Sequence, residues 1–459
     1  METAEKTQRF GPILLAPGIS PTNVVTKLYA SFAGVALFSG ISFLQSYILV
    51  VHLNIPRNQG TLTGDLTFIA EATMLLFLIP AGILADRIGR RPVFAAGMLL
   101  ISLGYGLYPF AETPADLMFF RFIIALGIAF SAGTLATITN DYPQENSRGK
   151  LIGLVSIANT LGTMFIAGVI GRIPVFLTAR DFDPVVAGKV MFLFAAFLAV
   201  STAVISHFGL KEGTPVARDK RPSIRILAMS GLRAAKNPRI ALSYTAAFAA
   251  RSDLVIKGAF LSIWALQDGA ALGMNPGEAM ARFGVMVLIM QGVSVGAAPI
   301  FGWFIDQVNR MTATIVALLF AITGYLSMYF LTSPLDFAMV PYFIIISFGS
   351  SFMLKVSLSL VGQEAPIAER GSIIAMNSWC GALGILILMA VGGRLYDAWG
   401  PWAPFVIAGF YQIFILAAAI VVRIVAPGPM IAGYRPKWVR SRANKPITAG
   451  EVSEDTPAE

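Results

Sequence analysis

The sequence predicts an all-α membrane protein, with twelve transmembrane helices grouped as two homologous six-helix bundles. Three observations predict it. Of 459 residues, 56% are hydrophobic and only 13% are charged, where water-soluble chains carry about 25% charged residues. Apolar runs of roughly 20 residues, the length a bilayer core demands, recur from end to end. A charged loop of the first half also returns in the second. In lipid each backbone N–H and C=O must be satisfied within its own segment, so these runs are helices.

The chain opens with a tail, 1–24, interrupted by Pro12, Pro17 and Pro21. It has no short apolar core with a small-residue cleavage site, and reads as a cytosolic tail, not a signal peptide. A first bundle, 25–210, holds spans near 25–51, 62–84, 92–111, 117–139, 150–171 and 186–209. A basic linker, 211–238, follows. Its stretch "SIRILAMSGLRAAKNPRIAL" sets Arg225, Arg233 and Lys236 among apolar residues. That composition suits an amphipathic helix on the membrane surface, and equally a plain linker. Asn237 and Pro238 open the seventh span as cap and first-turn proline. The second bundle, 239–424, holds spans near 239–266, 282–304, 311–331, 337–360, 372–392 and 402–424. A charged, proline-rich tail, 425–459, is expected to be disordered. The single cysteine, Cys380, excludes an intramolecular disulfide.

The net charge of +9 is distributed by side. With the N-terminus inside, the inner segments hold Lys6, Arg9, Arg87, Arg90, Arg91, Arg148, Lys150, Arg310, Arg370, the linker and the basic tail. The outer loops hold few basic residues, among them Arg57, Arg172, Arg180, Arg282 and Arg394. This asymmetry places both termini in the cytoplasm and accounts for the charge without nucleic acid. The expected location is the plasma or inner membrane, in contact with lipid, as a monomer.

The loop "GILADRIGRR" (Gly82 to Arg91) has a partner in "GWFIDQVNR" (Gly302 to Arg310). Gly82, Asp86 and Arg90 recur as Gly302, Asp306 and Arg310 at one constant displacement. "DYPQENSRG", from Asp141, similarly matches "EAPIAERG", from Glu364. Two matches in register at equivalent loops mark two homologous halves, the parallel repeat of a transporter with its site between them.

On these residues the chain resembles the major facilitator superfamily over residues 20–425. "GILADRIGRR" matches that family's signature between helices 2 and 3. "RFIIALG" (Arg121 to Gly127) resembles the helix 4 arginine motif of proton-coupled members. "GLVSIANTLG" keeps Gly153 and Gly162 of the drug/proton antiporter signature but lacks its later Gly-Pro and Gly-Gly pairs. Helix 1 lacks the membrane acid of many drug antiporters. The resemblance implies a cytoplasmic gate made by Gly82, Asp86, Arg90, Asp141, Gly302, Asp306, Arg310 and Glu364, shut in the outward-facing state. Physically, Gly82 would permit a close helix approach. Asp86 would meet the positive start of helix 11 near Gly371 and Ser372, and Arg90 would bond Asp141. The resemblance also implies a cavity lined by helices 1, 4, 7 and 10, which makes Arg121 and Gln45 lining candidates.

Ionisable groups at membrane depth cost about 2.5–3.5 kcal/mol each on insertion scales and are functional candidates by default. Those recognised are Glu71, Arg121, Arg251, Asp253, Lys257 and Lys355. Glu71 precedes Gly82 by eleven residues, roughly 16 Å of helix, and its repeat equivalent is Gln291. An acid in one half and an amide in the other suggests one proton site, with Asp253 next in line. The alternative is a permanent Glu71–Arg121 pair. Asp253 and Lys257 stand four apart on one helix face. Arg251 lies about 200° from Asp253 and is left to meet an anion, with help from Arg121, or to bond carbonyls of a broken helix. Lys355 can snorkel to headgroups.

No cluster of nucleophile and base, or of metal ligands, falls in the membrane, so neither an enzyme nor a metal centre is expected. The expected function is secondary transport of a small organic solute, in one version an anion. Alternating access would move it, and the proton gradient, not a cofactor, would drive it. The rival is proton-driven efflux of lipophilic drugs on the same fold. Substrate-binding candidates are Arg121, Gln45, Arg251, Lys257 and Gln291.

Overall fold

The computed structural model describes residues 8–55, 57–211, 224–365 and 369–426. Five helices open the first half: α1 (Pro21–Tyr47), α2 (Gln59–Ile88), α3 (Arg90–Leu107), α4 (Pro114–Asp141) and α5 (Arg148–Gly168). A short α6 (Ile173–Thr178) and a long α7 (Pro184–Gly209) complete it. The linker contributes α8 (Ile224–Ala234). The second half holds α9 (Pro238–Ala271), α10 (Pro276–Gly296), α11 (Ala298–Gln307), α12 (Arg310–Ser327), α13 (Val340–Glu364), α14 (Arg370–Trp399) and α15 (Ala403–Val425). Spans one to six are α1–α5 and α7. Spans seven to twelve are α9, α10 with α11, and α12–α15.

Local sequence explains most of the starts. Ser20, Thr113, Asp183, Asn237 and Asn275 each accept a bond from the first turn they precede, and a proline follows within the next two positions. A side-chain oxygen satisfies an orphan N–H, and proline occupies a site with no N–H to lose. Asn237–Pro238 is thus the expected cap of the seventh span. The eighth span, expected as one run over 282–304, is broken at Ala297 into α10 and α11. Pro299 cannot donate back to the preceding turn. Among the described residues, eleven helices are long and apolar enough to cross a bilayer, by length and composition. The twelfth is α9, whose 34 residues carry Arg251, Asp253 and Lys257 at its middle.

The two halves repeat one packing scheme. In the first, α3 packs between α4 and α7; in the second, α12 packs between α13 and α15. A glycine makes each inner crossing close. A Cβ on Gly127 would lie 2.6 Å from the Gly97 carbonyl, and one on Gly349 would lie 2.6 Å from Ala321 Cα. Lipid gives helices little hydrophobic reason to associate, so backbone-close packing of this kind carries the assembly.

Even numbers of crossings put residue 8 and the end of α15 on one side, here the terminal face; the other is the far face. On the terminal face a small hairpin, β1 (Arg9–Phe10) with β2 (Ile13–Leu14), folds under the first half. Leu15 bridges Pro143, and the Gln144 N–H donates to the Leu14 carbonyl at 2.9 Å. The tail expected as 1–24 is therefore built into the structure from residue 8. The tail beyond 426 and linker residues 212–223 lie outside the described residues.

Candidate functional site

A cavity of about 340 Å³ lies between the halves, lined from α1, α2, α4, α5, α9 and α10. The expected contribution of the tenth span is absent: no described residue of α13 lines it. Its place is taken by α2, α5 and α10, which converge because the halves meet along α2–α14 and α5–α10. Its charged and amide lining is Glu71, Arg121, Lys257 and Gln291, among apolar residues such as Phe38 and Met74. Four sequence candidates, two from each half, are brought together here.

Arg121 is 4% exposed. Its Nη2 donates to Ser42 Oγ at 3.4 Å, while Nε and Nη1 have no hydrogen-bond partner. The Glu71 carboxyl stands within electrostatic reach of both Arg121 and Arg251. No ion pair within 4.0 Å joins Glu71 to either among the described residues. The permanent Glu71–Arg121 bridge is therefore not formed. Lys257 is 8% exposed and donates to Ser350 Oγ of α13.

Four candidates sit elsewhere. Gln45 is wholly buried and accepts from Tyr108 at 3.5 Å; it faces the interior of its own bundle and not the cavity. Arg251 lies along α14, its stem over Gly381, and its Nη1 donates to the Ser378 carbonyl at 3.2 Å. Its separation around α9 from Asp253 is as periodicity predicts, but that side of α9 meets a helix. Asp253 is fully buried behind Lys257, with both oxygens 3.0 Å from Gln412 Nε2. Lys355 is half-buried, with its ammonium 5.5 Å from the centre of the Phe301 ring.

The two faces differ. On the terminal face Arg90, at the start of α3, pairs with Asp141 at the end of α4. The second half does not copy this: Glu364 pairs with Arg239 at 2.7 Å, and Arg310 with Asp306 at 3.3 Å. A Cβ on Gly82 or on Gly302 would find nothing within 4 Å. The close approach expected at Gly82 is therefore not made among the described residues.

On the far face they are sewn together. Ser46 and Ser262 hydroxyls meet at 2.5 Å, and Gln267 donates to Gln59 at 2.7 Å. Asp397 accepts from the Gly60 and Thr61 amides at 3.0 and 2.7 Å. The Arg394–Asp65 bridge, at 3.0 Å, also crosses. Sequence reading missed this closure, since Asp397 and Arg394 look like ordinary loop charges. It also missed Lys27, wholly buried in α1 with Ser31 Oγ at 2.5 Å.

The profile of the Major Facilitator Superfamily matches residues 28–388. The chain is 26% identical over 378 residues to magnetosome protein MamH of Paramagnetospirillum magneticum, covering 80% of this chain and 85% of that protein. It is 23% identical over 404 residues to Multidrug resistance protein 2 of Bacillus subtilis, covering 87% and 94%. The crystal structure of nucleoside transporter NupG aligns with a TM-score of 0.68 at 15% identity, over 87% of this chain and 98% of that one. That last likeness is one of fold.

Proposed function

This chain belongs to the major facilitator superfamily, and we propose that it is a proton-coupled carrier of a small organic anion. Members of this family are multi-pass membrane transporters and not enzymes. In this reading both termini are cytoplasmic, the membrane is the cell membrane, and the conformation described is inward-facing. Transport proceeds by rocking of the two bundles about the cavity.

The observation that carries the reading is Arg121: a nearly buried guanidinium on the cavity wall with Nε and Nη1 unpartnered. Donors left unpaired away from water are costly, and a planar fork fits a carboxylate or phosphate oxygen pair. Lys257 adds a second positive charge from the opposite half. A cavity of about 340 Å³ is near the small end of ligand sites, about 300–1,000 Å³, which favours a compact solute. Glu71 supplies the coupling. Deprotonated, it offsets the Arg121 charge; protonated, it leaves that charge to the substrate. Proton and anion therefore enter the cavity together.

The test is binding and transport by the full chain. A thermal-shift screen of small carboxylates and phosphates identifies the ligand, since a true substrate stabilises the bound state. Arg121→Gln should then weaken its binding roughly 10- to 100-fold, the worth of one charge-assisted bond, with Arg121→Lys intermediate. Glu71→Gln should abolish pH-driven accumulation and spare exchange. Retained affinity in Arg121→Gln sinks the anion reading; accumulation that survives in Glu71→Gln moves the proton elsewhere.

A second reading, proton-driven efflux of lipophilic compounds, draws on the apolar majority of the cavity lining and the similarity to Multidrug resistance protein 2. A screen that returns only lipophilic cations favours it.

A further inference from the structure

α2 and α14 run antiparallel at the seam between the halves, so the start of each lies beside the end of the other. Their far-face crossing is backbone-close. A Cβ on Gly64 would fall 2.3 Å from the Met389 carbonyl oxygen, and one on Gly393 would fall 2.4 Å from that of Gly60. At this crossing the first turn of α2 has no cap of its own. Its N-cap residue, Asn58, sits at φ 62° and its side chain makes no capping bond. Asp397, in the last turn of α14, supplies that cap from the other half by accepting from the Gly60 and Thr61 amides. A carboxylate there meets both the orphan N–H groups and the positive end of the helix dipole.

The opposite ends of the same two helices repeat the chemistry. Asp86 lies in the last turn of α2, and the start of α14 likewise lacks a side-chain cap from its N-cap residue, Glu369. On this face no close crossing is made at Gly82 or Gly302 among the described residues. The start of α14 is met by α8, whose Ser230 hydroxyl reaches Glu369 Oε2 at 3.0 Å and Ser372 Oγ at 3.2 Å.

We propose that Asp397 is the far-face gate latch, a carboxylate that caps α2 from across the seam and must let go for the far face to open. α2 and α14 then each end in an acid placed to cap the start of the other. A rocking motion makes one cap as it breaks the other, so the two acids oppose each other in setting which face is open. Gly60, Gly64 and Gly393 let the backbones approach until the carboxylate reaches two amides. The Asp65–Arg394 bridge and the Gln59–Gln267–Tyr396 chain brace the same contact. The latch rests on the alternating-access reading and not on the identity of the substrate.

The experiment measures spin-label distances in the full chain in lipid nanodiscs without substrate, in a Cys380→Ser background. One label pair, Glu112→Cys with Thr332→Cys, spans the far face; the other, Asn140→Cys with Gln307→Cys, spans the terminal face. Asp397→Asn should raise the far-face-open population about tenfold, the loss of one charge-assisted hydrogen bond, lengthening the first distance and shortening the second. Asp397→Glu, which keeps the charge, should fall between. Gly64→Ala, which forces the backbones apart without touching the charge, should shift both distances the same way. Distances unchanged in both Asp397→Asn and Gly64→Ala overturn the latch. A shift in Gly64→Ala alone overturns the role of the carboxylate. No ligand enters the measurement, so failure of the anion reading leaves its outcome intact.

Discussion

Lys27 is an isolated charge within the first half. It is wholly buried, and among the described residues only Ser31 Oγ meets its ammonium group. An ammonium taken from water without a counter-charge destabilises the fold. Lys27→Met keeps the stem volume and removes that cost, so the apparent melting temperature in detergent should rise by a few degrees, about 1–3 kcal/mol. A lower melting point would mean that the lysine holds a structural bond. It stands only two residues inside the expected first span, 25–51, where sequence alone does not separate a buried lysine from one at the membrane edge. Arg121 was legible because "RFIIALG" resembles the helix 4 arginine motif of the family. Arg251 was half legible. Helical period gave its angle from Asp253, but angle does not say whether a cavity or a neighbouring helix lies on that side, and the Ser378 carbonyl does.

Among the elements, the hairpin of β1 and β2 does more than end the chain. Ile13 and Leu15 are 0% and 1% exposed. The strap is stitched to the loop after α4 by Gln144 N–H to Leu14 O and by Leu14 N–H to Ser147 Oγ at 3.1 Å. That loop follows Asp141, the partner of Arg90, so the strap fixes where the acid stands. Ile13→Asp should release it: amide exchange at Gln144 should speed up about tenfold, the worth of one backbone bond, with increased proteolysis over residues 8–20. Unchanged exchange would make the strap a passenger. Two-residue strands carry no periodicity, and their partner lies some 130 residues away (Leu14 to Gln144), so sequence could not reveal them. The caps were easier to read: Asn237 and Pro238 sit next to the helix they start.

At the scale of the whole molecule, the bundle count and the repeat were legible because length, apolarity and loop spacing are properties of the chain itself. The conformation was not. The repeated loops suggested where the halves close on the terminal face, whereas the closure present lies on the far face. It is built from glycines and two charges near the end of α14 that acquire meaning only beside their partners. This state sets the sign for Asp86. Asp86→Asn removes the acid placed for the opposite closure, so the terminal-face distance should lengthen or sharpen while the far-face distance holds. Adding Asp397→Asn should return the populations toward those of the unmodified chain. A terminal-face distance that shortens in Asp86→Asn would reverse the assignment of the two ends.

The three charges of α9 bear on how the chain is made. Arg, Asp and Lys near a helix centre each oppose transfer into lipid by about 2.5–3.5 kcal/mol, so α9 emerges from the ribosome as a reluctant membrane segment. Asp253 and Lys257 face each other within α9, but their hydrogen-bond partners and that of Arg251 come from helices not yet synthesised: Ser350 of α13 for Lys257, Ser378 of α14 for Arg251 and Gln412 of α15 for Asp253, 93 to 159 residues later. Stable placement of α9 is therefore expected only once α13, α14 and α15 have been made, and a chain truncated before α13 should hold α9 in the membrane less well than the full chain.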